Sequence, residues 1–413
     1  MSIIFYNLFL LLYSTGIRLV SPWNEKARRW IKGRKDFPAK SFTGKTIWMH
    51  CASLGEFEQG RPLLEEIKKQ YPSYKIVLSF FSPSGYEVMK NYSGADQVIY
   101  LPMDNMINAK KLIDRLNPAL VLWVKYEYWY YYLAELQKRK IPVLLVSGIF
   151  RKSQPFFKWY GNIWRKMLGC FDHLFLQDEA SVALLRSIGI KDNVLIAGDT
   201  RFDRVIAIAE KKEPVDHIKA FINNSRVLVA GSTWEEDEIE LLHFVKANPQ
   251  IKFIIAPHEI HEGNLVDVKK EFTNSVFYSA LAKENNLPNN IHVLIIDNIG
   301  MLSRLYQYAD VTFVGGGFGS DGVHNVLEAA VYGKPVVFGP VFEKFTEARG
   351  LVECGGGITV SGPLELEAAL NQLFNDNEAL TKSSIAAKDF VYNHKGATQK
   401  IIDHIQRNRL LIN

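Results

Sequence analysis

The residues best placed for chemistry begin with a carboxylate at the end of a short apolar run. Thr46 to Ala52 reads as a strand, and Ser53-Leu54-Gly55-Glu56-Phe57-Glu58 follows it directly. Glu56 then stands at the carboxyl end of the first strand, beside a glycine and at a helix start. A carboxylate there can take the proton of an attacking hydroxyl, the one proton transfer that moving a sugar onto an alcohol demands. It can equally do no more than complement the positive end of the helix. The residue alone leaves both roles open.

A second constellation lies in Val311-Thr-Phe-Val-Gly315-Gly316-Gly317-Phe318-Gly319-Ser320-Asp321-Gly322-Val323-His324-Asn325-Val326-Leu327-Glu328. A strand runs into a glycine-rich turn and then into a helix. Glycines let backbone approach a ligand closely, and the N–H groups of a helix start favour phosphate oxygens. Asn325 and Glu328, three apart, share a helix face on which a carboxylate can accept from ribose hydroxyls. The plain alternative is a tight strand-to-helix turn with Glu328 in solvent. A dinucleotide fingerprint fits less well, because that motif follows the first strand of its domain. Here the first strand leads instead to Gly231-Ser232-Thr233-Trp234-Glu235-Glu236-Asp237-Glu238, whose acids would repel a phosphate unless they satisfy the local N–H groups themselves.

The elements that must position these groups read as alternating short apolar runs and longer amphipathic ones, the pattern of parallel-sheet βα units. Strands are predicted over 46–52, 75–81, 97–101, 119–124, 143–149, 173–177 and 194–197, then over 226–230, 253–256, 293–296, 311–314, 335–338 and 357–360. Between the two series the pattern lapses into Lys-Lys-Glu-Pro and Asn-Asn-Ser. The chain of 413 residues therefore divides into an N-terminal segment (1–40), a first Rossmann-like domain (41–210) and a second (211–413) that includes the C-terminal helices. Such domains bind ligands outside the carboxyl ends of their strands, here in a cleft that the two would face.

Composition excludes a disordered chain, with 47% hydrophobic and 23% charged residues. Three scattered cysteines build neither a disulfide framework nor a zinc site. The formal charge of +5 is modest and implies no nucleic-acid partner, but it is concentrated: seven basic residues (Lys26, Arg28, Arg29, Lys32, Arg34, Lys35, Lys40) stand against Glu25 and Asp36 between positions 25 and 40. Before this collar, Ile3 to Tyr13 is apolar for about eleven residues, where a span needs about 20. The segment reads as a helix lying in the interface of an anionic membrane. The alternative is a helix packed on its own domain.

Taken together, the motifs resemble those of the Kdo (3-deoxy-D-manno-octulosonic acid) transferases of lipopolysaccharide assembly, over nearly the whole chain. His50-Cys51-Ala52-Ser53-Leu54-Gly55-Glu56 resembles that family's H-x-x-S-x-G-E, which implies that Glu56 is the general base. Ser82-Pro83-Ser84-Gly85, Glu127-Tyr128-Trp129 and Gly231-Ser232-Thr233 are similar to further family turns. Gly198-Asp199-Thr200-Arg201-Phe202-Asp203 resembles G-x-x-K-F-D, with Arg201 keeping the positive charge that steadies the transition state. Ile299-Gly300-Met301 falls where the family holds cytosine through backbone contacts, and Asn325-Val326-Leu327-Glu328 resembles its N-x-x-E nucleotide clamp. Lys125 departs from the pattern, standing where a glutamate is common, and Pro257-His258-Glu259 replaces part of P-R-H-P-E-R, leaving His258 and Glu259 as the CMP contacts there.

The resemblance implies a GT-B type α/β fold of two Rossmann-like domains. It also implies an inverting transfer of Kdo from CMP-Kdo to a lipid A precursor, lipid IVA, at the cytoplasmic face of the bacterial inner membrane. No metal and no cofactor are expected; Glu56 would be the base, with Arg201 and a helix start near Val323 holding the charge of the departing CMP. The architecture also suits a UDP-sugar transferase or epimerase, or a nucleotide-sugar-binding protein without catalysis.

Overall fold

The computed structural model describes residues 3–37, 39–281 and 290–412. The chain forms two compact units: the first runs to Asp203 and resumes at Gly396, and the second is Arg204–Lys395. In the first, seven strands form one parallel sheet: β1 (Thr46–Cys51), β2 (Lys75–Phe80), β3 (Gln97–Tyr100), β4 (Pro118–Val124), β5 (Val143–Gly148), β6 (His173–Leu176) and β7 (Val194–Ile196), in the order β3-β2-β1-β4-β5-β6-β7. The second unit has β8 (Val227–Thr233), β9 (Lys252–Pro257), β10 (Ser275–Phe277), β11 (Val293–Ile295), β12 (Val311–Val314), β13 (Val336–Phe338) and β14 (Gly357–Thr359), in the order β10-β11-β9-β8-β12-β13-β14.

These central strands are buried on both faces, as TIWMHC in β1 and VTFV in β12 are throughout. Such runs are continuous rather than alternating because helices cover both sides of a parallel sheet. Each chain winds outward from a central strand in one direction, then returns to that strand's other side. The two reversals lie between β1 and β4 and between β8 and β12, where open α/β sheets leave a crevice for ligands.

Two features of the predicted organisation change. The chain leaves the first unit at Asp203/Arg204, inside the helix Thr200–Glu210, rather than at the Lys-Lys-Glu-Pro stretch. The final helix, Ala397–Arg407, predicted to belong to the second domain, buries Ile401, Ile402 and Ile405 in a first-unit cluster with Ile67 and Ile76. Asp203 fixes that return, accepting from the backbone N–H groups of Gly396 (2.5 Å) and Thr398 (2.6 Å).

The N-terminal segment is likewise part of the first unit rather than a region apart. Helix α1 (Ile3–Val20) continues well past Tyr13 and, among the described residues, is the one helix long and apolar enough to cross a membrane. One face is fixed: Tyr6 and Leu10 enter the core, Tyr6 Oη donates to Asp104 Oδ2 at 2.6 Å, and Tyr131 Oη donates to Asn7 Oδ1 at 2.8 Å. The rest is bare, with Ile4, Phe5, Leu11 and Leu12 each at least 60% exposed. Helix α2 (Glu25–Lys32) carries part of the basic collar. Arg34 leaves that collar: its guanidinium stacks on Trp30, Phe81 and Tyr100 and donates to the carbonyls of Leu101 and Phe81, and burial pulls its pKa down to about 10.

Candidate active site

In the first unit the predicted base Glu56, the predicted cation Arg201 and Lys125, which stands where a glutamate is usual, gather at the carboxyl edge around the β1/β4 reversal. Glu56 lies in the first turn of helix α3 (Leu54–Gln70), after the extended residue Ser53. Its side chain is 8% exposed, and Oε2 accepts from the backbone N–H of Ala52 at the end of β1. A further backbone bond from Tyr126, just past β4, ties the carboxylate to the other side of the reversal. Burial, and then the negative charge of Glu127, push its pKa up to about 8 against the opposing pull of these N–H groups and of Lys125. Glu56 therefore ties together the ends of β1 and β4, but a carboxyl whose proton affinity lies near neutrality is also suited to general base work.

Lys125 follows β4 and holds a left-handed backbone (φ 56°), a conformation that costs a non-glycine residue about 1 kcal/mol or more. Ser147, at the end of β5, does the same (φ 54°). Strain of this kind at two strand ends marks the edge where a ligand is expected. The ammonium of Lys125 lowers the pKa of both Glu56 and Asp199, so it acts on the site as a positive charge.

Arg201 is held rather than mobile. Its Nε and Nη2 donate to Asp199 Oδ2 at 2.9 and 2.7 Å, and its backbone N–H donates to Oδ1 at 2.9 Å. Burial opposes the charge of Asp199, but Arg201 and Lys125 outweigh it and keep the carboxyl below its ordinary range. Gln59, one helical turn after Glu56, donates to the same Oδ2 at 3.1 Å. Helix α3 thus carries the predicted base and braces the carboxylate that orients Arg201.

Three further residues join this group that the sequence offered only as parts of motifs. His50 on β1 bonds Ser79 Oγ at 2.9 Å and Glu127 Oε2 at 3.0 Å. The same Glu127 oxygen accepts from Trp129 Nε1 at 3.0 Å. Asp199 is the third. Their signal lies in H-x-x-S-x-G-E, E-x-W and Gly-Asp-Thr-Arg, whose first or inner residues they are.

The second unit collects the predicted nucleotide residues at its own carboxyl edge. Asp237 Oδ2 accepts from the backbone N–H groups of Trp234 (2.9 Å) and Gly316 (2.7 Å), joining the two sides of the β8/β12 reversal. This acidic helix start does satisfy its local N–H groups. Trp234, His258 and His324 form a stack of near-parallel rings, with neighbouring centroids 4.6 and 4.5 Å apart. Trp234 Nε1 donates to His324 Nε2 at 2.9 Å, and burial followed by the neighbouring His258 takes the His324 pKa down to about 4, so it is neutral near pH 7.

The contacts of the glycine run fit the plain alternative, a tight turn. A Cβ on Gly315 would sit 2.3 Å from the Ser232 carbonyl, and one on Gly317 2.6 Å from the Gly339 nitrogen. These glycines allow the chain's own strand ends to meet. The helix expected near Val323 begins only at Leu327 and lasts four residues, to Ala330, while Val323 itself is buried and its N–H is taken by the Val341 carbonyl. A developing negative charge therefore has no long helix start to meet at that point.

Asn325 and Glu328 do come together: Asn325 Nδ2 donates to Glu328 Oε1 at 3.0 Å. Burial raises the Glu328 pKa, opposed by Asn325 and by Arg204. Val326 and Leu327 turn their side chains into the core. Beyond β11, Ile299 is 87% exposed, Gly300 takes a left-handed φ of 95° and Met301 is buried. Glu259 Oε2 is bonded to His261 Nε2 at 3.1 Å, and its negative charge acts on His258.

Residues 23–204, which include all of the first-unit group, match the sequence profile of the 3-deoxy-D-manno-octulosonic-acid transferase (kdotransferase) family. A 3-deoxy-D-manno-octulosonic acid transferase of Haemophilus influenzae is 28% identical over 88% of this chain and 88% of its own length. The first unit thus carries the Kdo transferase profile, and the chain is similar to Kdo transferases over most of its length. A bifunctional glycosyltransferase/methyltransferase of Fusobacterium nucleatum is 28% identical over 91% of this chain, which spans 59% of that longer protein. The UDP-GlcNAc 2-epimerase of Neisseria meningitidis shares the fold, with a TM-score of 0.62 and 17% identity over 88% of this chain and 100% of that one. The two parallel seven-stranded sheets and this likeness make the architecture GT-B.

Proposed function

We propose that this protein is a Kdo transferase, moving Kdo from CMP-Kdo to a hydroxyl of a lipid A precursor, lipid IVA, with inversion. The observation that carries the reading is Glu56, held by backbone N–H groups at the β1/β4 reversal with its pKa near 8. The acceptor oxygen bonds to the anomeric carbon as the bond from that carbon to the CMP phosphate oxygen breaks. Glu56 takes the hydroxyl proton, and the electron pair leaves with CMP. Arg201, fixed by Asp199, and Lys125 supply positive charge without reorganising, the arrangement that most stabilises developing negative charge. The reading invokes no metal and no cofactor.

On the donor side, Asn325 and Glu328 hold the ribose hydroxyls, the backbone of Ile299, Gly300 and Met301 meets the cytosine, and His258 lies beside the phosphate. Glu328→Ala is expected to weaken CMP binding by roughly 1 to 3 kcal/mol through loss of charge-assisted bonds. Calorimetry with CMP checks this, and an unchanged affinity removes Glu328 from the nucleotide site. Incubation of the protein with CMP-Kdo and lipid IVA, followed by mass measurement of the lipid, tests the whole reading. Turnover of a UDP-sugar in place of CMP-Kdo favours the epimerase or UDP-transferase alternative.

The bare face of α1 and the exposed lysines and arginines of α2 dock the protein on the cytoplasmic face of the inner membrane, because burial plus basic charge gives the two signals that stable attachment takes. Since α1 also packs on the first unit, the informative change is to its outer face alone. Leu8→Asp with Leu12→Asp, both at exposed positions, is expected to release the protein from anionic vesicles in sedimentation assays and leave CMP affinity unchanged. Continued sedimentation of the double variant contradicts the docking.

A further inference from the structure

Beside α1 and α2 the first unit has a groove that the mechanism above leaves unused. It has a volume of about 380 Å³ and is walled by Tyr13, Ile17 and Val20 of α1, Ala27 and Trp30 of α2, and Phe81 at the end of β2. That size lies within the range of small-molecule sites. Trp30 is buried, and its indole N–H has no acceptor among the described residues. At one end the groove meets a second hollow of about 340 Å³, with which it shares Lys26 and Pro83. The acids lining that hollow are already engaged, Glu25 by Arg29 and Glu87 by Lys90 and Tyr100. Lys26, exposed at the join, has no ion pair among the described residues.

The inner wall leads to the proposed base. The N–H groups of Phe81 and Ser82 donate to the carbonyls of Cys51 (3.3 Å) and Ala52 (2.8 Å), and the Ala52 N–H holds Glu56. The Phe81 ring lies 4.6 Å from Trp129, whose indole donates to Glu127. An apolar trough with a cationic mouth is therefore one residue from the carboxylate that must meet the acceptor hydroxyl.

We propose that this groove seats one acyl chain of the glycolipid acceptor, with Lys26 taking an anionic phosphate of the same molecule. The proposal rests on the acceptor class assigned above and adds how that acceptor is held. Apolar walls favour the methylenes, and a carbonyl or hydroxyl oxygen on the chain is the acceptor that Trp30 lacks. Seating the chain here fixes the sugar head near Glu56. A bulk phospholipid lacks the sugar head that lies towards Glu56 and is held in the groove more weakly.

Gly16→Leu tests the groove, because a Cβ at this groove-lining position meets nothing within 4 Å and leucine favours the helix. Each methylene kept out of the groove costs roughly fourfold in affinity. The variant is expected to raise KM for acylated lipid IVA at least about tenfold, while kcat/KM for the fully deacylated acceptor stays within about twofold and CMP affinity is unchanged. An unchanged KM for the acylated acceptor, or an equal loss with both acceptors, overturns the proposal. In parallel, lipid IVA carrying a photoreactive acyl chain, added without donor, is expected to label peptides of α1 and α2. Label elsewhere, or equal label from a photoreactive phospholipid, also overturns it. This second measurement needs no turnover, so absence of Kdo transfer by the unaltered protein would refute the assigned reaction while the labelling still decides the groove.

Discussion

Glu56→Gln is expected to slow Kdo transfer by at least about 100-fold while CMP affinity and thermal stability are kept. Glutamine retains the shape and an oxygen that can accept from the Ala52 N–H, so the tie to the end of β1 is kept. It also removes the repulsion between Glu56 and Glu127, so no loss of stability is anticipated. What disappears is the ability to take a proton. A weakly acidic alcohol would then have to lose its proton to water as it attacks, without a base already in position. Single-turnover rates with saturating CMP-Kdo read the effect directly. Near-normal turnover would return Glu56 to its structural part at the helix start.

The second large effect is on pH. A general base works when deprotonated, and burial together with Glu127 raises the pKa of Glu56 to about 8. Activity is therefore lost as pH falls through this value, roughly tenfold per unit below it, so kcat/KM at pH 6 is expected to be about 100-fold below its plateau. Neighbouring charges set the position of that limb. Glu127→Gln removes a negative charge and moves it to lower pH; Lys125→Met removes a positive charge and moves it to higher pH. Both shifts should appear in profiles of kcat/KM, which report on the free enzyme. A rate that is flat between pH 6 and 8 would exclude Glu56 as the titrating base.

Lys125 also shows what a sequence can and cannot disclose. Its charge was legible, and so was its departure from the glutamate usual in the family. Its left-handed backbone was not, because that conformation follows from how β4 meets the turn before Glu127. Thirteen strand positions were readable because buried strands of a parallel sheet are continuous apolar runs. The three residues of β10, Ser275–Phe277, are too short to leave such a pattern at the edge of a sheet. Spacing placed Asn325 near Glu328, since three residues apart is a local matter. The ring stack of Trp234, His258 and His324 was hidden, because it joins groups brought together only by the order β9-β8-β12. What the glycine run makes room for was hidden for a similar reason: Gly317 yields to Gly339, a neighbour that only the sheet supplies.

The return of the final helix to the first unit has a consequence for how the protein is made. The second unit is an insertion between Asp203 and Gly396, and residues translated after it complete the core begun by β1. On the ribosome, the first unit has all seven strands long before it has Ile401, Ile402 and Ile405, whereas the second is continuous and can finish as it emerges. Vectorial synthesis ordinarily favours the leading domain; here the order of completion is reversed. The nascent chain must hold an unfinished apolar surface open while nearly two hundred intervening residues are made. A stop codon just before the last helix would therefore damage the half of the molecule that was synthesised first.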